Sequence, residues 1–98
     1  MNHGLDQDAA RLIAQSVLLG NITPGMAEVH IRWTETTYEM EIISDAPEDP
    51  RELAIAEGIR SELMAQLPDH EVSVHLARQP MIGGLAPNKS MVFARSRE

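Results

Sequence analysis

Two stretches of alternation, AEVHIRW over residues 27–33 and TYEMEII over residues 37–43, stand three residues apart. No other feature constrains the fold as much. Successive side chains of a strand point to opposite faces, so a period of two means an extended segment with one side turned to a core. In the first stretch Ala27, Val29, Ile31 and Trp33 share one face, and Glu28, His30 and Arg32 the other. In the second, Tyr38, Met40 and Ile42 oppose Glu39 and Glu41. The connection Thr34-Glu35-Thr36 suits an antiparallel hairpin, although it lacks a glycine.

Helical periods flank this hairpin. Leu5, Ala9, Leu12, Ile13, Val17 and Leu18 recur at helical spacing behind Asp6 and Asp8, and Gly20 follows as a left-handed cap. The acidic start complements the positive end of the helix dipole. After the turn-rich SDAPEDP, Asp49 is the expected N-cap, with Pro50 at the first helical position and Glu52 three after the cap. The second helix is expected to reach about Gln66, with Leu53, Ala56, Ile59, Leu63 and Leu67 as its buried stripe.

A third strand, EVSVHL, then buries Val72, Val74 and Leu76 and presents Glu71, Ser73 and His75. Beyond it, Gln79-Pro80, Gly83-Gly84 and Pro87-Asn88 interrupt regular structure, while SMVFA can add a short edge strand. The order α-β-β-α-β predicts an α+β two-layer sandwich, ferredoxin-like or metallochaperone-like, over residues 1–78, with an irregular tail over 79–98. The crossover rule places the third strand beside the first and parallel to the second. Both helices then cover one face and leave the other open.

Ninety-eight residues make a single domain. With one Trp, one Tyr and one Phe, the core rests on aliphatic residues and Met. A net charge of −7 argues against nucleic acid and anionic membrane surfaces as partners. The absence of cysteine excludes disulfides, thiolate metal sites and thiol catalysis. No apolar run is long enough to span a bilayer, and MNHGLDQDAAR is not a signal sequence. The expectation is a soluble cytoplasmic protein without membrane insertion.

The open face carries the candidate chemistry. Glu28, His30 and Arg32 are expected on its central strand, Glu39 and Glu41 on one neighbour, and Glu71, Ser73 and His75 on the other. Strands lie about 4.8 Å apart, so His30 and His75 would reach a common divalent ion, to which imidazole and carboxylate are suited. The same face reads equally as a solvated surface or a dimer surface. His70 beside Asp69 reads as a solvated turn pair, and His3 as a loose terminal residue. GGLAPNKS is not a phosphate loop: Asn88 replaces the second glycine and only eight residues follow Ser90. No serine stands in a nucleophile elbow, and no acid–base pair is identifiable, so no enzymatic activity is expected.

PGMAEVHIRW, TTYEMEI and IAEGIRSELMAQLPDHEVSVHL together resemble the cytoplasmic C-terminal domain of cation diffusion facilitator transporters, over about residues 8–78. The resemblance implies a metallochaperone-like fold, a V-shaped homodimer and divalent-cation binding that shifts the dimer's conformation. It makes His30 and His75 ligands, the two histidines that alternation places on the open face. Ala77 stands where many members of that family carry an acidic residue, and Met40 or Glu41 where some carry a further histidine. The transporter's membrane helices have no counterpart, so the chain reads as a free-standing relative. On this reading it is a zinc-binding regulatory-type homodimer in metal homeostasis. Glu41 assists His30 and His75, and Asp69 or His70 completes the site; the partner is a second copy, a membrane cation transporter or another protein. The alternative is a structural or adaptor homodimer without metal, using the open sheet face for a protein partner.

Overall fold

The computed structural model describes residues 5–79 and 89–94. Its elements are α1 (Gln7–Leu18), β1 (Met26–Trp33), β2 (Thr37–Ser44), α2 (Pro50–Gln66), β3 (Glu71–Ala77) and β4 (Lys89–Ala94). The expected α+β sandwich is the observed one, with a four-stranded sheet in the order β3-β2-β1-β4. None of the described helices is long and apolar enough to cross a membrane. The breaks expected between residues 80 and 88, the GGLAPN part of the rejected phosphate loop and His3 lie outside the described residues.

Local chemistry sets the boundaries. Asp6 Oδ1 accepts from the Ala9 amide at 2.7 Å and starts α1; Gly20, at φ +82°, turns the chain away at its end. Asp49 Oδ1 accepts from the Arg51 amide at 2.8 Å, and Pro50 opens α2. In the hairpin, Thr34 replaces a glycine turn with its hydroxyl, which accepts from the Thr36 and Thr37 amides at 3.1 and 3.0 Å.

The core lies between the sheet and the two helices. From β1 it takes Met26, Val29, Ile31 and Trp33; from β2, Tyr38, Met40 and Ile42; from α2, Ala56, Ile59 and Leu63. Ala27 was expected in this row but sits at a bulge between Met26 and Glu28, which hands the inward place to Met26. α1 faces the sheet through Ala10, Ala14, Val17 and Leu18, not through Leu12, which is 67% exposed. Small alanines let the helix sit close. Leu53 is likewise exposed on α2, and Glu52 is buried in its place. The Trp33 indole donates to Leu5 O at 3.0 Å and the Tyr38 hydroxyl to Ala10 O at 2.8 Å, so the two large aromatics pin the start of α1 to the sheet.

The strand order corrects the expected one. β3 pairs in parallel with β2, from Thr37↔Glu71 to Ile43↔Ala77, and does not touch β1. The 17-residue α2 carries the chain back along the sheet, and the Glu71 amide then bonds Thr36 O at 2.8 Å, seating β3 against the strand just left. The other side of β1 is taken by β4, antiparallel, from Glu28↔Ala94 to Arg32↔Lys89. Arg78, just past β3, donates to Asp45 O and to both Glu48 carboxylate oxygens, closing the β2–α2 link over the end of β3. The Glu48 carboxyl is held below the usual range, first by a backbone hydrogen bond of its own residue and then by Arg78.

Candidate functional site

On the face away from the helices, pairing across the sheet sets the side chains in rows. Ser73, Glu39 and Arg32 share one row; His75, Glu41, His30 and Met91 the next; Ala77, Ile43, Glu28 and Ala94 a third, the β1–β4 pair shifting register between Val29 and His30. Arg32 Nε donates to Glu39 Oε1 at 2.7 Å across the β1–β2 pair. His30 Nε2 lies 2.8 Å from Glu28 Oε1, two residues away on the same strand. Both bonds tie cation-type groups to carboxylates within the face itself.

Of the five expected metal-site residues, the structure brings three into line and leaves two apart. His30, Glu41 and His75 share a row, but Glu41 stands between the histidines, which occupy strands separated by a third, about 10 Å in backbone terms. Glu41 is only 2% exposed, while His75 lies exposed on the edge strand. Asp69 and His70 precede β3, and His70 is five residues, roughly 16 Å of strand, before His75. Its Nε2 is buried without a hydrogen-bond partner among the described residues, so it is no solvated turn residue. No group of three or more His, Asp or Glu side chains among the described residues is arranged to hold a metal ion.

Among the described residues, concave places lie at the hairpin end, at the start of α2 and beside α1. A polar groove of about 310 Å³ at the hairpin end is lined by Thr37, Glu39, Glu71, Val72 and Ser73. A hollow of about 260 Å³ at the start of α2 holds Thr23, Gly25, Asp49, Arg51 and Glu52. Glu52 is 8% exposed and accepts from the Ser44 hydroxyl at 3.3 Å. The third, between α1 and β4, is apolar, about 200 Å³, and includes Leu18, Leu19, Ile22, Val92 and Phe93.

Sequence reasoning missed this third place because it left β4 uncommitted, and it missed the exposure of Leu12 because it put that residue inward. The signal was present. Ala10 and Ala14 form an alternative inward stripe at helical spacing, and choosing it turns Leu12 outward.

Comparison with known proteins adds what geometry does not. The family model of MafI2 immunity protein matches residues 7–97. No curated protein matches the chain. A solved structure of tri-AMPylated Shewanella oneidensis HEPN toxin in complex with MNT antitoxin is similar, with TM-score 0.62 and 12% identity over 92% of this chain and 74% of that one. A second crystal structure from Shewanella oneidensis gives 0.60 and 8% over the same shares. At such identities these two likenesses concern the fold alone.

The family match overturns the resemblance to cation diffusion facilitator domains, and with it the zinc-binding, metal-homeostasis reading. The resemblance rested on apolar positions common to two-layer α+β folds. Its histidine pair also presupposed β3 beside β1, where the structure has β4.

Proposed function

The chain belongs to the MafI2 immunity protein family, and we propose that it works by binding a toxin protein and covering the surface through which that toxin acts. One observation carries this: the family match runs from residue 7 to residue 97, through both helices and all four strands. The chain is not an enzyme, since an immunity protein acts by occupying its target. Its partner is a protein. A second copy of the chain and a membrane cation transporter, both expected from the sequence, find no support in that role. Of the two readings made there, the interaction module without metal is the one the family favours, apart from its homodimer.

The physical requirements of such a role are modest. A stoichiometric inhibitor needs a rigid surface, a few well-placed anchors and a field that draws the partner in. A sheet with helices on one side supplies rigidity. The charge of −7 supplies a field suited to a basic toxin surface.

The test begins with the tagged chain expressed in its native cells, and the proteins retained on it identified. Each is then produced in a host strain alone and together with the chain. The expected outcome is one protein that stops growth alone and permits it alongside the chain, with a one-to-one complex on purification. If every retained protein is harmless alone, or the chain protects without forming a complex, the proposal fails.

A further inference from the structure

We infer that the toxin docks on the outer side of α1 and the groove beside it, with Leu12 and Leu19 as anchors; this rests on the immunity reading above. Leu12 is 67% and Leu19 84% exposed. Seven residues separate them, two helical turns, which puts them on one side with Gln15 between. Ile22, 41% exposed, continues the patch past the turn. The apolar groove against Val92 and Phe93 opens immediately beside it. Single exposed leucines need no explanation, but a contiguous apolar patch next to a concave site marks an interaction surface. Leu19 and Ile22 line this groove; Leu12 does not, but lies two turns from Leu19 on the same side of α1. Leu53 and Met64 on α2 and Met91 on β4 are on other elements and do not line it.

Charge identifies the occupant. The only charged residues of α1 are Asp8 and Arg11. Arg11 is turned away: its guanidinium bonds Ser90 Oγ and, at 2.9 Å, Met91 O. Asp8, one turn before Leu12, therefore sets the sign at one end of the patch. At the other end the last turn of α1 holds no basic residue, and its Val17 carbonyl is capped by the neutral Asn21 amide at 2.7 Å, so no cation offsets Asp8 on this side. An apolar strip with a carboxylate beside it, on a chain of net charge −7, fits a toxin surface with aliphatic or aromatic side chains flanked by Lys or Arg. A second copy fits badly. Antiparallel pairing of two α1 helices about Gln15 would set each Asp8 against the Leu19–Ile22 end of the other, taking a carboxylate out of water without a cation. Each copy also carries −7.

The experiment uses as probe the toxic protein recovered with the wild-type chain, titrated calorimetrically against wild type, Leu12→Asp/Leu19→Asp, Leu12→Ala/Leu19→Ala, Leu53→Asp and Met91→Asp. Melting curves confirm that each variant folds. The inference expects binding weaker by about 100-fold for the double aspartate and by about 10-fold for the double alanine, with Leu53→Asp and Met91→Asp within about threefold of wild type. A double aspartate that folds and binds within about threefold of wild type overturns it. So does loss of binding confined to Met91→Asp, which would move the interface to the sheet face away from the helices. Should the double aspartate fail to fold, the double alanine decides by the same criterion. The mass of the free chain separates the remaining occupant: a dimer that Leu12→Asp/Leu19→Asp dissociates would assign the patch to a second copy. Failure of the immunity reading itself looks different, since then no toxic protein is recovered with the wild-type chain.

Discussion

Tyr38 is the only tyrosine of the chain, fully buried, with its hydroxyl donated to Ala10 O. Burial disfavours the phenolate and pushes the phenol well above its ordinary value. In the unfolded chain the group loses its proton near pH 10. The folded state therefore holds a proton that the unfolded state releases, and stability linked to this group is complete below about pH 10 and lost progressively above it. Tyrosinate absorbance followed against pH, beside the unfolding midpoint, is expected to stay flat until the fold gives way and then to rise together with unfolding. Titration near pH 10 in a chain still folded would contradict the burial. Tyr38→Phe removes both the alkaline sensitivity and the hydrogen bond, at a cost of about 1 kcal/mol at neutral pH, measurable by denaturant unfolding.

At the scale of elements, the end signals were the readable part. Asp49-Pro50 opens α2 as expected, because cap chemistry is local: a carboxylate within three residues of the amide it serves needs no tertiary partner. Asp49→Ala is accordingly expected to cost about 1 kcal/mol in unfolding experiments, and Asp49→Ser to recover most of it. Which side of each helix turns inward was less readable. Leu12 and Leu53 are the more hydrophobic choices in their turns, yet the sheet takes Ala14 from α1 and Ala56 from α2 and leaves both leucines in water. Close approach of helix to sheet decided this, and sequence periodicity does not contain that distance. The order of strands was also beyond local signals, since β3 can be carried to either side of a hairpin by a helix of this length. That misplacement brought His30 and His75 together on paper, whereas Glu41 stands between them in the sheet. Besides the packing of Val92 and Phe93, the guanidinium of Arg11 ties α1 to β4 by hydrogen bonds. Arg11→Met keeps the aliphatic stem and loses both bonds. Amide exchange should then quicken along β4 while β2 stays protected, and equal acceleration in both strands would show that Arg11 supports the whole fold.

For the molecule as a whole, the decisive quantity is a charge of −7 spread over fifteen carboxylates and eight basic groups. Part of it is spent internally: Arg32 on Glu39, Arg78 on Glu48, Arg11 on the backbone and hydroxyl of β4. Each such ion pair cancels one charge of either sign, so the exterior field stays negative through the excess of carboxylates over basic groups. An immunity protein gains from this mainly in speed. Long-range attraction raises the rate of encounter with a basic toxin, while the short-range apolar contacts proposed for α1 set how long the complex lasts. The two contributions separate on a salt series because the screening length shrinks from about 10 Å at 0.1 M to about 3 Å at 1 M. Association measured by stopped flow is expected to slow by about 10-fold or more over that range, while dissociation changes by less than about threefold. Leu12→Asp/Leu19→Asp should show the converse, a faster dissociation with the salt slope of association intact. An association rate indifferent to salt would mean that the partner surface is not basic, and the acidic exterior would then have no part in choosing the toxin.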